Sequence, residues 1–527
     1  MIILLLGAIV VLAVLVPYFR KVYSFRKNGI KIITPVPLLG NMTEIMLRRR
    51  HYAYNLHDLY NRFPEERFVG RFEFLTASIL IRDVELVKKI TVKDFEYFID
   101  HRKFEGESFF SNSLFVMQGQ DWKDMRSTLS PAFTSSKIRL MISFMEEVGD
   151  HMMHFLKKKI EASEDDYIDF DSRELTTRYA NDVIASCAYG LKVDSHTDEN
   201  NQFYAMGKTL FEFNFRILIK FIVLMNMPKV AKFLNWDIVP DVVKEFFTSL
   251  VLDTMKDREM RQIIRPDMIH LLMESKKGKL SHENVNSDEA AGFATVEESS
   301  IGKKQINREW QDTDLVAQAF LFFFAGFETV SSAMTFLMYE LAVNPDVQER
   351  LAQEIREHDA KNGGKFDFNT IQSMTYMDMV VSEVLRRWPP VLVMERECHK
   401  DYNMGKPNQA SKQDFIIRKG AGVMMPTYAF HHDPEFFPDP EKFDPERFSE
   451  ENKHKINPLA YMPFGAGPRN CIGSRFALCE LKVMTYQLLQ HMELSPCEKT
   501  CIPAKLASDH LNIRMHGGHW LRFRLRK

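Results

Sequence analysis

Apolar residues recur at a spacing of three to four along most of this chain, around 136–160, 173–190, 203–227, 240–260, 312–343, 345–358, 370–387 and 474–489. That spacing predicts amphipathic helices. Short β-like runs near 67–83, 391–398, 414–418 and 519–525 predict a few strands beside them. Residues 276–311 are polar and aperiodic, which predicts a surface loop or a disordered connection. Met1 to Phe19 carries no charged residue and is followed by Arg20, Lys21, Arg26, Lys27 and Lys31. The run is at the short end of a spanning helix. Its basic residues follow it, and no small-x-small site ends it, so an uncleaved signal anchor is preferred to a cleaved signal peptide. The positive-inside rule then places the N-terminus in the lumen and the body in the cytosol. The run from Asp314 to Val343 is also apolar, but Gln318, Glu328, Thr329, Ser331 and Ser332 interrupt it and Asn344-Pro345 stops it. It is expected to be a long core helix.

Composition narrows the class. A length of 527 residues would allow two or three domains, yet no Gly/Ser-rich or Pro-rich linker divides the chain. The expected division is an anchor over 1–19, a basic, proline-containing hinge over 20–41 and one catalytic domain over 42–527. With 42 Phe and 29 Met the interior is greasy and adaptable. A net charge of −2 gives no sign of a nucleic-acid partner. Six cysteines (187, 398, 471, 479, 497, 501) lack paired metal-site spacing, which argues for reduced thiols rather than a disulfide framework. None of the 17 histidines, His151, His154, His431 and His432 included, sits in a ligand constellation, and none is assigned to a metal.

The most informative stretch is Phe464-Gly465-Ala466-Gly467-Pro468-Arg469-Asn470-Cys471-Ile472-Gly473, which runs into the periodic segment from Ser474. A helix N-terminus offers unpaired N–H groups and positive dipole charge, which favour thiolate over thiol. Phe464 can wall off the sulfur, and Arg469 can pair with a carboxylate. A thiolate so held suits the axial ligand of a haem iron. The decapeptide resembles the haem-binding signature of the cytochrome P450 family, Phe-x-x-Gly-x-Arg-x-Cys-x-Gly, at every fixed position, with Cys471 as the expected iron ligand and Gly473 closing the loop.

Further segments resemble the family's motifs in order. Ala325-Gly326-Phe327-Glu328-Thr329 is similar to its oxygen-activation motif. Ala325 and Thr329 share one helical face, so the small residue leaves room for haem while Thr329 and Glu328 manage protons. The competing reading is that Thr329 bonds back to the Ala325 carbonyl and Glu328 pairs with a surface cation. Val330 stands where many relatives carry a second hydroxyl. Glu383 and Arg386, with Arg447 downstream, match a buried structural network of the family. Trp122, Arg126, Arg396 and Arg469 match its haem-propionate positions, and His101-Arg102 is a further candidate contact. Residues 33–41 resemble its proline hinge, with fewer prolines than many relatives have. Phe109, Phe110, Phe115, Leu321, Phe324, Val391 and Leu392 are expected at an apolar substrate pocket. The stretch Phe203 to Met227, with Phe211, Phe213, Phe215, Arg216, Lys220 and Phe221, either dips into the bilayer or packs internally. Lys123, Lys137 and Arg139 are candidates for a positive face that docks an acidic electron donor.

Taken as a whole the chain resembles the microsomal, insect-type members of the family, near those that handle foreign compounds. The resemblance implies a mainly α fold with a small β-rich region and haem b between the long helix and the cysteine loop. It implies a monooxygenase of the endoplasmic reticulum membrane that uses O2 and lipophilic substrates. Electrons would come from NADPH through a cytochrome P450 reductase, with cytochrome b5 as a second candidate donor. The alternatives are oxidation of one endogenous lipid, steroid or terpenoid, a reductase-independent isomerase, or a non-catalytic haem carrier.

Overall fold

The computed structural model describes residues 2–102, 109–211, 219–220, 222–224, 227–234, 236–276, 292–304, 308–363 and 367–526, with side chains from residue 15 onward except at 228. Helices dominate. The long helix Asp312–Val343 runs through the middle, packed on the helices Ser172–Ile184, Thr375–Arg387 and Ser474–His491. Its start is fixed by a reciprocal cap, in which the Gln311 N–H donates to the Asp314 carboxylate at 3.0 Å. Most of its apolar window is buried inside the protein, as a core helix requires. Its polar residues are matched one by one. Gln318 accepts from the Leu114 N–H at 2.7 Å, and Glu340 accepts from the Trp388 indole at 2.6 Å while pairing with Arg387.

Among the described residues, nine strands form three small sheets: β1 Phe68–Glu73, β2 Thr76–Ile81, β3 Tyr167–Asp171, β4 Met394–Glu397, β5 Tyr402–Asn403, β6 Ile416–Ile417, β7 Gly422–Met425, β8 Met492–Ser495 and β9 Trp520–Leu525. The largest sheet has the order β1-β2-β7-β4, with β2 and β7 parallel. Strands β3, β7 and β8 are too short or too polar to stand out in the sequence pattern. They exist because longer neighbours pair with them, β9 holding both β3 and β8.

The N-terminal helix runs over Ile2–Lys27, beyond the charge-free run, and its end is docked rather than dangling. Tyr18, Val22 and Phe25 pack on Phe72 of β1, and the Tyr18 hydroxyl donates to the Val36 carbonyl at 3.0 Å. The Gly70 N–H donates to the Lys31 carbonyl at 2.9 Å, so the hinge adds itself to the edge of β1. Gly70 has to be glycine there, since a Cβ would enter the Phe25 ring and Ile32. The polar 276–311 stretch departs from its sequence reading. Residues 277–291 and 305–307 lie outside the described residues, but Gly292–Lys304 packs on the body, with Ala294 and Phe293 in or against the core. Of the Phe203–Met227 stretch, Phe213, Phe215, Arg216 and Phe221 also lie outside them. Phe211 packs internally, its ring parallel to Phe327 at 5.3 Å.

Candidate active site

The cysteine loop is built by two left-handed glycines, Gly465 at φ 81° and Gly467 at φ 72°. A Cβ at 467 would strike the backbone carbonyl of Thr91, so this position tolerates no side chain. The turn brings the Cys471 N–H to the Phe464 carbonyl at 2.8 Å, and Gly473 caps the helix Ser474–His491. Arg469, Asn470 and Ser474 around it are buried, yet Cys471 itself is exposed. Protein nevertheless surrounds the sulfur closely enough that burial raises its pKa, against the pull of the Gly473 N–H and Arg126.

The long helix opens at one place. Phe324 is 37 % exposed and Ala325 is also open, although Leu321, Phe323 and Phe327 beside them are buried. One ring joins this helix to the end of the cysteine loop: Phe133 meets Phe322 edge-on at 5.4 Å and would lie 3.7 Å from a Cβ placed on Gly473. Thr329 is partly exposed, and its hydroxyl donates to the Ala325 carbonyl at 2.6 Å. Glu328 turns away into a buried cluster, 2.6 Å from Arg173, while Asn512 donates to it at 3.0 Å. The competing reading thus holds for Thr329, which bonds back to the Ala325 carbonyl, and fails for Glu328, whose cation is internal rather than a surface charge.

The network expected from Glu383, Arg386 and Arg447 is assembled. Arg386 donates to Glu383 twice, at 2.7 and 2.9 Å, with both side chains 0 % exposed. Its other donors reach the His431 and Pro440 carbonyls at 2.9 and 2.8 Å. Arg447 lies 3.5 Å from Glu383. His431 is neutral, pushed down to about 3 chiefly by burial, and its Nε2 accepts from the Met462 N–H at 3.0 Å. It thereby tethers the start of the cysteine loop, a role that sequence spacing did not reveal.

The propionate candidates divide into two kinds. Arg469 is saturated by protein: it pairs with Asp100 at 2.9 Å, donates to the Ile99 and Met117 carbonyls at 2.9 and 2.6 Å, and lies on the Trp122 ring. Burial holds its pKa down at about 9. Asp100 was invisible to motif reading because it lies 369 residues away in sequence. Arg126 is held between Glu298 and Asn470. Arg396 differs. It is buried at 2 % exposure, makes one bond to the Glu395 carbonyl at 2.7 Å, and its Nε has no partner. Burial lowers its pKa to about 10. Such a cation calls for an anion. Beside it, His101 Nδ1 donates to the Glu395 carbonyl at 3.1 Å, and the ring is kept neutral mainly by burial. Arg102 is taken by Glu73 and Glu395. An open thiol, a small-residue opening and a buried guanidinium with an unpartnered Nε together fit a flat ligand that takes a sulfur ligand and carries carboxylate tails, as haem does.

Aromatic side chains surround the opening. Phe110 touches Phe324 at 5.2 Å and Phe109 touches Phe320 at 5.0 Å, while Phe115 stacks on His101 at 4.8 Å. Val391 and Phe115 are exposed, and Leu321 and Leu392 are buried in the wall behind them.

Comparison with known proteins supplies the last finding. The family model described as "Cytochrome P450" matches residues 31–516. Cytochrome P450 9e2 of Blattella germanica is 44% identical over 512 residues, covering 94% of this chain and 93% of that relative. Probable cytochrome P450 9f2 of Drosophila melanogaster is 41% identical over 509 residues, covering 94% of each. Cytochrome P450 6k1 of Blattella germanica is 35% identical over 512 residues, covering 96% of this chain and 94% of the relative.

Proposed function

The chain belongs to the cytochrome P450 family of monooxygenases, and we propose that it inserts one oxygen atom from O2 into lipophilic small molecules, foreign compounds above all, with electrons from NADPH through a reductase. The observation that carries this reading is the open Cys471 thiol set near the open Phe324-Ala325 turn of an otherwise buried helix. Haem held by Cys471, with its propionates toward Arg396, would supply the reductive activation of dioxygen. Thr329 holds a proton on Oγ1 at the opening, 2.6 Å from the Ala325 carbonyl, where it can hand that proton on and recover another from water. Glu328 can join such a relay only when its contact with Arg173 loosens, so Arg173 and Asn512 set its position. Phe110, Phe115, Phe324 and Val391 present apolar surface with few polar groups, which orients substrates by shape and excludes water. The N-terminal helix anchors the domain in the endoplasmic reticulum membrane with its basic end cytosolic.

The test is NADPH-dependent depletion of a mixed panel by membranes holding this chain and a reductase. The panel combines insecticides, plant terpenoids and phenolics, fatty acids and steroids. Turnover of many unrelated members is expected, and it should vanish in Cys471→Ala together with the reduced carbon monoxide signature. Turnover of a single endogenous lipid would overturn the foreign-compound reading.

A further inference from the structure

His101 and Arg396 are far apart in sequence and converge on one atom. The Glu395 carbonyl accepts from the His101 Nδ1 at 3.1 Å and from the Arg396 Nη1 at 2.7 Å. The imidazole and the guanidinium are therefore neighbours across a single oxygen. Arg469 grips the two residues just before His101, the Ile99 carbonyl and the Asp100 carboxylate, at 2.9 Å each. Phe115, exposed at the opening, stacks on the imidazole at 4.8 Å.

Charge around this ring does not balance. Asp100 is buried, and its carboxylate is already shared by Arg469 and by His399 at 3.0 Å. The Glu73 and Glu395 carboxylates hold Arg102, the next residue in the chain. Burial, then Arg396 and Arg469, keep His101 neutral, and no carboxylate opposes them. A carbonyl only accepts, so Nδ1 carries the proton of the neutral ring. Nε2 then holds a lone pair, and it has no partner among the described residues. A lone pair repels a carboxylate, whereas a proton placed there makes Nε2 the donor of a charge-assisted hydrogen bond.

We propose that His101 joins Arg396 as an anchor for a haem carboxylate, and that it does so only as the charged imidazolium, so that seating the haem takes one proton from water. This rests on the reading that Cys471 and Arg396 hold haem. Arg396 is a fixed cation, and His101 is a titratable one beside it. An anion next to the ring opposes the push of the two arginines and raises its pKa. Between the haem-free and haem-loaded pKa values the loaded protein binds more protons. The hold on haem is therefore tightest at low pH and slackens as pH rises through that window.

The experiment mixes full-length ferric holoenzyme in detergent with excess apomyoglobin and follows haem loss at the Soret band from pH 6 to about 9. Wild type is compared with His101→Phe, which keeps a ring on Phe115 but does not titrate, and His101→Arg, which supplies a fixed cation. Wild-type haem loss should quicken with pH by up to about tenfold per unit, the limit for one linked proton. The Arg variant should be slow and nearly flat. The Phe variant should be fast and nearly flat, meeting the wild type at the alkaline end. A slope in either variant equal to that of the wild type overturns the role of His101, as does a Phe variant that keeps haem as well as the wild type at pH 6. If the Phe variant does not fold, the wild type and the Arg variant still decide, since equal slopes overturn the proposal. A folded wild type that takes up no haem overturns the proposal together with the haem reading beneath it.

Discussion

The two sides of the opening are built on opposite principles. On the Cys471 side nearly every charge is tied to named partners: Arg386 to Glu383 and two carbonyls, Arg469 to Asp100, Arg126 to Glu298 and Asn470. Each bond fixes a direction as well as a distance. On the far side Phe109, Phe110, Phe211, Phe320 and Phe324 meet ring to ring, at 5.0–6.4 Å and at angles from parallel to edge-on. Such contacts cost little to rearrange. One side suits a sulfur held in a fixed direction, and the other, on the proposed function, suits molecules of many shapes. The protein spends directional bonds on the first and rings on the second.

The largest break in that contrast should come from Glu383→Ala. It leaves Arg386 charged and fully buried without its carboxylate, a loss of about 3–5 kcal/mol. The variant should accumulate as haem-free, protease-sensitive protein, measured by the ratio of haem absorbance to chain. Normal haem content would show that the network is dispensable. Gly467→Ala should be next. A left-handed backbone costs a side chain on the order of 1–3 kcal/mol, and the new methyl would also meet the Thr91 carbonyl. The expected result is a lowered melting temperature with a split or absent carbon monoxide band, and an unaltered band would mean that the loop has more slack than its geometry allows.

This division also explains what the sequence disclosed. Phe464 to Gly473, Glu383 to Arg386 and Ala325 to Thr329 were legible because directional chemistry demands fixed residues at short, fixed spacings. The long helix and the mainly helical class followed from period and from the Asn344-Pro345 stop. Partners far apart in sequence were not legible: Asp100 for Arg469, Glu298 for Arg126 and Arg173 for Glu328 become visible only when the chain is folded. Strands β3 and β8 were missed because the pairing with β9, not their own pattern, makes them strands. The 292–304 segment was read as a surface loop or a disordered connection, because the few residues that fasten it, Phe293, Ala294 and Glu298 among them, leave its local polarity unchanged.

Glu480 is where the Cys471 side breaks its own rule. It is fully buried on the helix that follows the cysteine loop, and neither carboxylate oxygen has a partner. Around it lie Tyr179, whose hydroxyl is also unpartnered, and the buried thiols of Cys187 and Cys479. All of these are kept neutral by burial, and burial raises Glu480 well above the ordinary carboxyl range. The folded protein therefore keeps a proton that the unfolded chain releases once pH passes the ordinary carboxyl value. Stability from this site is fully present below that pH and is lost as pH rises toward the raised folded value, by up to about 1.4 kcal/mol per pH unit. Glu480→Gln removes the linkage. Unfolding midpoints of wild type and variant should converge near pH 4 and separate as pH rises to 8, the variant being the more stable. Parallel curves would mean that Glu480 finds a partner and is ionised.

The smallest effect on stability should come from the ring side, and there the contrast is sharpest. Phe324 is 37 % exposed and touches Phe110 and Phe211 at 5.2 Å each. Phe324→Ala removes those contacts from a surface already partly open, so the loss should be about 1 kcal/mol or less, with haem content unchanged. What changes is the space above the opening. A substrate oxidised at two competing carbons gains the freedom to turn, and a contact of this size is worth roughly tenfold in selectivity. The product ratio from one two-site substrate should therefore shift by about that factor while total NADPH-dependent turnover changes less. If Phe324→Ala instead loses haem as Glu383→Ala does, the rings are scaffold and not pocket, and the division between the two sides fails.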